Sequence, residues 1–585
     1  MGLLGRSLTW VRRYLVACVE IDTRILAVFR ILVGVLIIGD LLSRARGFAT
    51  YYTEAGVVPN SLAQHHTVDH AFSVYFFTSS PTITAALFVV SGIVAVQLIL
   101  GYRTTFATIV SFLLVVSLDH RNILLTSYAD TLFRFLVFWA MFLPLGERWS
   151  VDARQRSRTP RRRVANLATA AILTQMVYMY VVNWHHKQQN ELWTSGEATV
   201  LIFGLDDMTI LLAEAMRSFP ELLRLGGLAW YFLLLASPLL LVTYGRARIP
   251  LLSLLMIGHV AFAATVRIGA FPYVAIAGVL LFVQPRVVDD AVRLLRRFGV
   301  GRLAPQRSPA ARAAAWLPPP RLDAPETPPT AVRVAHQLVV TSAIVVVLVI
   351  PGLGILHDAG HLGSDPDPDD LVSDTTAILG IRQPPWSVFA PNPRRTDRYY
   401  VFPALTADGE RWDVYYDRPL TFERPDEPLH RQYDHYRERF YMNSVRRAGM
   451  DGRASTVLAE HLCDTWGADR GVELTHVNLY VVNETVTRES IDDFQGREVE
   501  TEVIHRHGCG DNEPMEIAVP YDDATDATDG AVDDPSGDAV GDTVISPAGG
   551  TDDDAADGAR ETPATAGVSG AAWAIGPVKS VPETR

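Results

Sequence analysis

Residues 25–42 read ILAVFRILVGVLIIGDLL, an apolar run that only Arg30 and Asp40 interrupt with charge. A membrane-spanning helix needs about 20 mostly apolar residues, or slightly fewer where its ends are polar. Further stretches of this kind lie at 82–101, 105–118, 129–145, 166–186, 228–245, 249–266, 270–285 and 336–356. The sequence therefore predicts a polytopic α-helical membrane bundle of about nine spans.

Basic residues in the short loops predict the orientation of this bundle. The loop at 146–165 is rich in arginine, and the alternate loops are not comparably basic. Three other basic sites fall on the same side as this loop: Arg103, the pair Arg246 and Arg248, and the segment 286–297. If the N-terminus is cytoplasmic, this side is cytoplasmic throughout. An odd number of spans then places the residues after 357 outside the cell.

The composition differs between the two halves of the chain. Only two of the 52 basic residues, Lys187 and Lys579, are lysines, and the net charge is −12 with the excess acid after residue 357. An arginine bias together with an acidic soluble part predicts a halophile, a prokaryote that lives in high salt. The membrane charges Arg30, Asp40, Asp130 and Arg134 are expected to pair and to fix helix packing.

The second half of the chain predicts a small extracytoplasmic β-rich α+β domain. Strand-like runs lie at 398–405, 411–416, 476–482 and 499–505, and a helix with an aromatic face is predicted near 428–447. The compartment outside the cell permits disulfides, so Cys463 and Cys509 are a disulfide candidate, with two free thiols as the alternative.

The predicted organisation has five parts. These are an eight-span membrane domain (1–299), a Pro- and Arg-rich cytoplasmic linker (300–335), a ninth transmembrane helix (336–356), the β-rich domain (357–515) and an acidic disordered tail (516–585).

The sharpest local feature is NWHHKQQNELW at 183–193, at the outer end of the fifth predicted span. Lys187 is the only lysine in the first 578 residues. A partly buried lysine can act as a base, whereas arginine cannot, since its guanidinium stays protonated. The alternative is an interfacial anchor, with Trp184 and Lys187 at the level of the lipid headgroups.

Other polar residues give weaker signals. His259 lies within the seventh predicted span, where a histidine is either a satisfied packing residue or part of a ligand site. The cluster His65, His66, Asp69 and His70 fits no strong metal spacing, so no metal site is predicted. We find no phosphate loop, nucleophile elbow, dinucleotide fingerprint or zinc-protease motif, and nucleic-acid binding is not expected.

Five segments carry a resemblance to a known family. They read FRILVGVLIIGDLLSRARGFATYYTEAGVVP (29–59), FLPLGERWSVDA (142–153), Lys187 followed by Trp193 and Gly196, HVAFAATVRIGAFPYVAIAGVLLF (259–282) and RQPPWSVFAPNPRRTDRYYV (382–401). In this order they resemble the HTTM (horizontally transferred transmembrane) family, whose members are related to the vitamin K-dependent γ-glutamyl carboxylase.

The resemblance implies a quinol-dependent, carboxylase-like chemistry. A lysine would deprotonate a reduced quinone, which reacts with oxygen to give a strong base; this removes a γ-proton from a glutamate, and carbon dioxide adds. Lys187 corresponds to that lysine, and His259, Phe271 and Trp184 are expected to bind a menaquinol or vitamin K-like quinol. His120 is the candidate for the family's helper histidine after the third span. The acidic residue before a later cytoplasmic turn is replaced here by Ser237-Pro238.

Two hypotheses follow for the function. The first is a quinol oxygenase or carboxylase that acts on an exported protein or peptide, with Lys187 as the base. The second is a non-enzymatic membrane scaffold or receptor whose outer domain binds a partner. Transport has little support, because no internal repeat or pair of interrupted half-helices is present.

Overall fold

The computed structural model describes residues 2–156, 158–297, 316–318, 329–358 and 372–518. The predicted acidic tail lies outside the described residues from 519 onward, as does most of the predicted linker.

The first half of the chain is helical. Its main helices are α1 (Gly2–Val19), α2 (Thr23–Arg46), α3 (Pro81–Leu100), α4 (Thr104–Arg121), α5 (Tyr128–Ala140), α6 (Leu167–Lys187), α7 (Pro220–Ala236), α8 (Ile249–Thr265), α9 (Phe271–Leu280), α10 (Pro285–Arg297) and α11 (Thr330–His357). A turn of π-helix interrupts α11 at Val345–Val349. Short helices in the connections, among them Glu191–Ser195 and Glu197–Phe203, pack against α7.

Length and composition support fewer spans than the nine predicted. Within the described residues, α2, α3, α6, α8 with its preceding turn, and α11 are long and apolar enough to cross a membrane. The pair α9 and α10 would add a sixth span, but the two helices meet at 103°. The other predicted spans correspond to α4, α5 and α7.

These three helices fall short for visible reasons. Helix α5 has 13 residues. Helix α7 ends at Ala236, immediately before Ser237-Pro238, because a proline has no amide N–H to continue the helical hydrogen bonds. Helix α4 ends in the polar run Asp119–Arg121. The apolar runs predicted at 129–145 and 228–245 therefore continue past the points at which α5 and α7 stop, whereas α4 extends beyond its apolar run into charged residues.

Helices α2 and α3 pack closely through a glycine. A Cβ on Gly34 would lie 2.5 Å from Ile99 Cγ1 and 2.9 Å from the Ala95 carbonyl oxygen. Helix α3 ends at Gly101, whose φ of 69° suits glycine, and a Cβ there would meet the buried guanidinium of Arg30. Arg30 does not pair with an acid as predicted: it donates to backbone carbonyls, including that of Trp149 at 2.7 Å.

The basic loops meet at one end of the bundle. Arg24, at the start of α2, pairs with Asp289 of α10 at 2.8 Å, and Arg162 contacts the same carboxylate. Arg246 pairs with Asp290 at 2.8 Å. Strands β1 (Ile21–Asp22) and β2 (Arg163–Val164) join the same region. The loops that the sequence assigned to one side of the membrane are therefore neighbours in space.

Residues 396–508 form a sheet with two helices, which we call the outer domain after the location that the sequence predicts. The strands are β3 (Thr396–Val401), β4 (Pro403–Thr406), β5 (Arg411–Asp413), β6 (Arg418–Pro419), β7 (Leu474–Thr485) and β8 (Val499–Gly508). The long strand β7 is central, with β8 antiparallel on one side and β3 and β4 on the other. The predicted helix near 428–447 is a 3₁₀ turn at Leu429–Gln432 followed by α12 (Tyr436–Ala448).

Helix α13 (Arg453–Arg470) is fastened to the end of the sheet. A disulfide joins its Cys463 to Cys509, with the two Cα atoms 5.7 Å apart. The remaining cysteine, Cys18, is a buried free thiol.

Three arginines and three aspartates connect the membrane half to the outer domain; we call them the interdomain network. They are Asp40, Arg44, Asp119, Asp130, Arg134 and Arg437. Arg44 of α2 contacts Asp119 at 2.5 Å and Asp130 at 3.2 Å, and Arg437 of α12 contacts Asp130 at 2.7 Å. Asp130 also caps α5 through the Ser127 amide. The outer domain is therefore held to the bundle through buried ion pairs.

Candidate active site

A cavity of about 330 Å³ lies between α6, α7 and α8, beneath the short helices that follow α6. Nearly all of its lining is apolar, and the polar side chains on it come chiefly from α6 and α8. The lining residues used below are Tyr180, Asn183, Lys187, Trp193, Gly226, Trp230, His259, Phe271, Val388 and Phe389.

Lys187 is the last residue of α6, and its side chain is buried, with 3% of the residue exposed. Its Nζ donates to the Val388 carbonyl oxygen at 3.1 Å and lies 3.0 Å from the centre of the Trp193 ring. Among the described residues, no carboxylate lies within ion-pair distance of Nζ. The amine is held by a carbonyl dipole and an aromatic face, without a counter-ion.

The segment 381–389, which we call the inserted segment, brings the Val388 carbonyl to the cavity. Trp386 of this segment is fully buried against Tyr128 and Phe135 of α5. Asn183 Nδ2 donates to the Trp386 carbonyl at 2.8 Å and to the Val388 carbonyl at 3.2 Å. Asn183, one helical turn before Lys187 on α6, therefore holds the backbone segment whose Val388 carbonyl accepts a hydrogen bond from the Lys187 amine.

A second set of hydrogen bonds anchors the inserted segment deeper in the bundle. Gln383 Nε2 donates to Gln175 Oε1 of α6 at 2.8 Å and to the Val347 carbonyl at 3.0 Å. Val347 lies in the π-helical turn of α11. A π-helical turn shifts the usual helical hydrogen bonding, and such turns are frequent at functional sites.

His259 of α8 lines the cavity and is completely buried. Its Nε2 is 2.7 Å from the Tyr180 hydroxyl oxygen, whereas Nδ1 has no hydrogen-bond partner among the described residues. The rings of Trp230 and Phe271 flank it, with centroid distances of 5.3 and 6.2 Å. A buried polar atom without a partner is rare and marks a place where a ligand can bind.

The cavity opens at the lateral surface of the bundle, between α7 and α8. Leu222, Leu254 and Ile257 line it and are also 50–62% exposed on the helix surfaces. Gly226 lies beside them, and a Cβ added there would meet nothing within 4 Å. An apolar molecule in the bilayer would find this opening at the level of the membrane-spanning helices.

The structure brings together three of the residues that the sequence singled out. Lys187, His259 and Phe271 line the same cavity, although 84 residues separate the first from the last. Trp184 does not line it and instead packs near Tyr231, with a ring distance of 6.3 Å. His120 lies at the end of α4, where its Nδ1 is 3.0 Å from the Phe72 carbonyl oxygen, and it does not line the cavity either.

The sequence analysis did not assign roles to Tyr180, Asn183, Trp193 or Val388. Tyr180 and Asn183 precede Lys187 by seven and four residues, so helical periodicity would have placed them on its face of α6. Val388 lies 201 residues from Lys187, and no local pattern connects the two. In the described part of the chain, no group of three or more His, Cys, Asp or Glu side chains is arranged to hold a metal ion.

Comparison with known proteins gives one match. The model of the HTTM domain matches residues 19–286, whereas no curated protein and no solved structure matches the chain. The matched range contains Lys187, His259 and Phe271, and it ends before the inserted segment. Residues 19–286 are therefore an HTTM domain, the domain family found in vitamin K-dependent carboxylases, and the chain is a multi-pass membrane protein.

Proposed function

We propose that this protein is a membrane enzyme that uses a reduced membrane quinone, a menaquinol or vitamin K-like quinol, to carboxylate or otherwise modify an exported peptide. Lys187 is the base that accepts a proton from the quinol. One observation carries the proposal: a buried amine without a counter-ion lines an apolar cavity that is open toward the lipid, together with a buried histidine.

The cavity suits an apolar ring with few polar atoms. Its volume of about 330 Å³ lies at the lower end of the range of small-molecule sites, roughly 300–1,000 Å³. The aromatic rings of Trp193, Trp230 and Phe271 offer faces and edges to a flat ligand. A long apolar tail would leave through the opening at Gly226 into the bilayer.

The surroundings of Lys187 favour its use as a base. Taking an ammonium out of water without an anionic partner costs free energy, so a neutral amine is less costly there than in solvent. The Val388 carbonyl and the Trp193 ring orient the amine without neutralising it. An arginine would remain protonated and could not take this role.

When bound, the quinol would be oxidised by oxygen and would supply the strong base that removes the γ-proton of a glutamate before carbon dioxide adds. The residues of this chain bind and orient it, keep water from the amine and hold the transferred proton on Lys187 Nζ.

We infer that the outer domain and the basic loops lie on opposite sides of the membrane, with the N-terminus cytoplasmic. Helix α2 has 24 residues, about 36 Å, which exceeds the roughly 30 Å hydrocarbon core. Arg24 at its start contacts the basic-loop region, and Arg44 near its end joins the interdomain network. The disulfide of the outer domain supports an oxidising compartment.

A membrane-impermeant maleimide tests this orientation in intact cells. It should label Asp408→Cys, in an exposed turn of the outer domain, but not Arg154→Cys, in the basic loop, until the membrane is opened. The reverse pattern would place the outer domain in the cytoplasm.

The function is tested by quinol turnover of the purified protein in lipid, with oxygen and bicarbonate present. Quinone epoxide is measured by mass spectrometry for the wild type and for Lys187→Arg. We expect epoxide from the wild type and at least about a 100-fold lower rate from the variant, since a positioned acid or base contributes roughly 10²–10⁴. Thermal unfolding of both proteins checks that the variant is folded.

Two other outcomes have distinct meanings. Equal epoxide formation by both proteins would support the quinol oxygenase activity but would mean that a residue other than Lys187 is the base. No turnover by either folded protein, with several quinols and candidate peptides supplied, would favour the scaffold or receptor hypothesis.

A further inference from the structure

The hydrogen bond between Tyr180 and His259 determines which imidazole nitrogen carries the proton. Both residues are buried, and the Tyr180 hydroxyl has no partner other than His259 Nε2 among the described residues. His259 Nδ1 has no hydrogen-bond partner in the described part of the chain. A neutral imidazole carries one N–H, and the bond at one nitrogen sets the state of the other.

Counting unsatisfied groups favours one arrangement. If Nε2–H donated to the tyrosine oxygen, the hydroxyl proton and the Nδ1 lone pair would both be left without partners. If the hydroxyl donates to Nε2, only the Nδ1–H is left. Each buried group without a partner costs free energy, so the second arrangement is the more stable one.

We propose that Tyr180 is a positioning residue that fixes His259 with its proton on Nδ1, and that this N–H binds a carbonyl-type oxygen of the ligand. The inference rests on the proposed function and deepens it: Lys187 faces one oxygen of the quinone ring and His259 the other. An N–H donor there holds the second ring oxygen and so keeps the first hydroxyl within reach of Lys187.

The spacing on α6 agrees with a ligand that bridges the two groups. Tyr180 and Lys187 are seven residues apart, which places them on the same helix face and about 10.5 Å apart along the axis. The two polar groups therefore lie at different depths of one apolar cavity, where a ring can offer an oxygen acceptor to each. The ligand class is therefore an apolar ring with two oxygen acceptors on opposite sides.

A binding experiment with two probes tests the role of Tyr180. Menadione has the two carbonyl oxygens, and 2-methylnaphthalene has the same rings and methyl group without them. Their dissociation constants are measured with the full chain in lipid nanodiscs, for Tyr180→Phe, His259→Asn and the double variant. In His259→Asn, the amide nitrogen takes the approximate place of Nδ1 and donates without help from Tyr180.

We expect Tyr180→Phe to weaken menadione binding about tenfold, the loss of roughly one hydrogen bond. The same change should have no effect in the His259→Asn background, and binding of 2-methylnaphthalene should stay constant throughout. Unchanged binding of this apolar probe also shows that the cavity is intact in each variant.

Three results would overturn the inference. These are a failure of the wild type to prefer menadione, an equal loss of both probes in Tyr180→Phe, and an equal effect of Tyr180→Phe with or without His259. The proposed function fails separately: a protein that shows the expected binding pattern but makes no epoxide would retain the role of Tyr180 and lose the enzyme assignment.

Discussion

The Lys187 cavity and the interdomain network both bury cationic side chains, but they treat the charge in opposite ways. Arg437 is buried with two carboxylates, of Asp130 and Asp40, in contact with its guanidinium. Burial and Arg44 would lower the pKa of Arg437, yet the two aspartates more than offset this and raise it above its ordinary value. Lys187 is buried to a similar extent and meets only a carbonyl oxygen and a ring.

This difference separates structural from functional charge. A buried ion pair is costly to break because the remaining partner is left uncompensated. A buried cation without a counter-ion contributes little to stability, so its presence is better explained by what it does. The contrast predicts that the network controls folding and docking, and that Lys187 controls turnover.

The largest effect is expected when the network is broken at Arg437. Arg437→Met leaves three aspartates facing two arginines and should lower the free energy of unfolding by about 3–5 kcal/mol. Denaturant unfolding of the purified protein in mixed micelles measures this. The control is Arg431→Met, an exposed arginine of the same domain, which should change stability by at most about 0.5 kcal/mol. Equal losses of stability in Arg437→Met and Arg431→Met would mean that the buried network stabilises the protein no more than an exposed arginine does.

A second change should partly restore the broken network. Adding Asp130→Asn to Arg437→Met removes the excess negative charge, while the amide oxygen can still cap α5. We expect the free energy of unfolding of the double variant to be about 1–3 kcal/mol higher than the sum of the two single changes predicts. A coupling of this size is typical of residues in one network. A double-mutant cycle on the same unfolding assay gives the coupling. Strict additivity would mean that the two residues do not act as a pair.

A smaller effect is expected at the lipid opening of the cavity. Gly226→Leu should narrow the opening between α7 and α8 and raise KM for a long-tailed quinol about tenfold, equivalent to about 1.4 kcal/mol. The KM for tail-less menadiol should not change. Gly39→Leu on α2 is a matched control, because a side chain there also enters open space. If both quinols were affected equally, the tail would not use this opening.

The smallest effect is expected on the stability of the protein without Lys187. Lys187→Met keeps the length of the side chain and removes a buried amine that no acid accompanies. We expect stability to stay within about 1 kcal/mol of the wild type, with any change toward greater stability, because apolar replacement of buried ionisable groups is often neutral or stabilising and here leaves no carboxylate unpaired. The unfolding assay used for Arg437 measures it. A loss comparable to that of Arg437→Met would assign Lys187 a structural role.

The sequence predicted several parts of the site because their signals are local. Lys187 is marked by the absence of other lysines in the first 578 residues, and the family resemblance added His259 and Phe271. The cysteines stood out as the two thiols of the soluble half. In each case the residue type and its neighbours in the chain carried the signal.

Other parts depend on contacts between distant segments. Arg437 lies in a helix for which the sequence indicated only an aromatic face, and its burial is explained by its aspartate partners on distant segments. The sequence predicted nine spans, whereas five or six of the described helices are long and apolar enough to cross a membrane. Hydropathy reports composition, but the ends of helices depend on turns, such as the one at Ser237-Pro238. The inserted segment enters the bundle through hydrogen bonds to α6 and α11 that no periodicity reveals.

The sequence by itself determined that the first half of this chain belongs in a membrane, since backbone groups in lipid must be satisfied within apolar helices. It also determined which lysine stands out and the sheet-forming character of the outer domain. Only the tertiary structure decided that Val388 accepts from Lys187, that Tyr180 bonds His259, and which charges are compensated. Hydrophobicity is a property of each segment, whereas the partner of a buried polar atom is determined by the arrangement of all segments together.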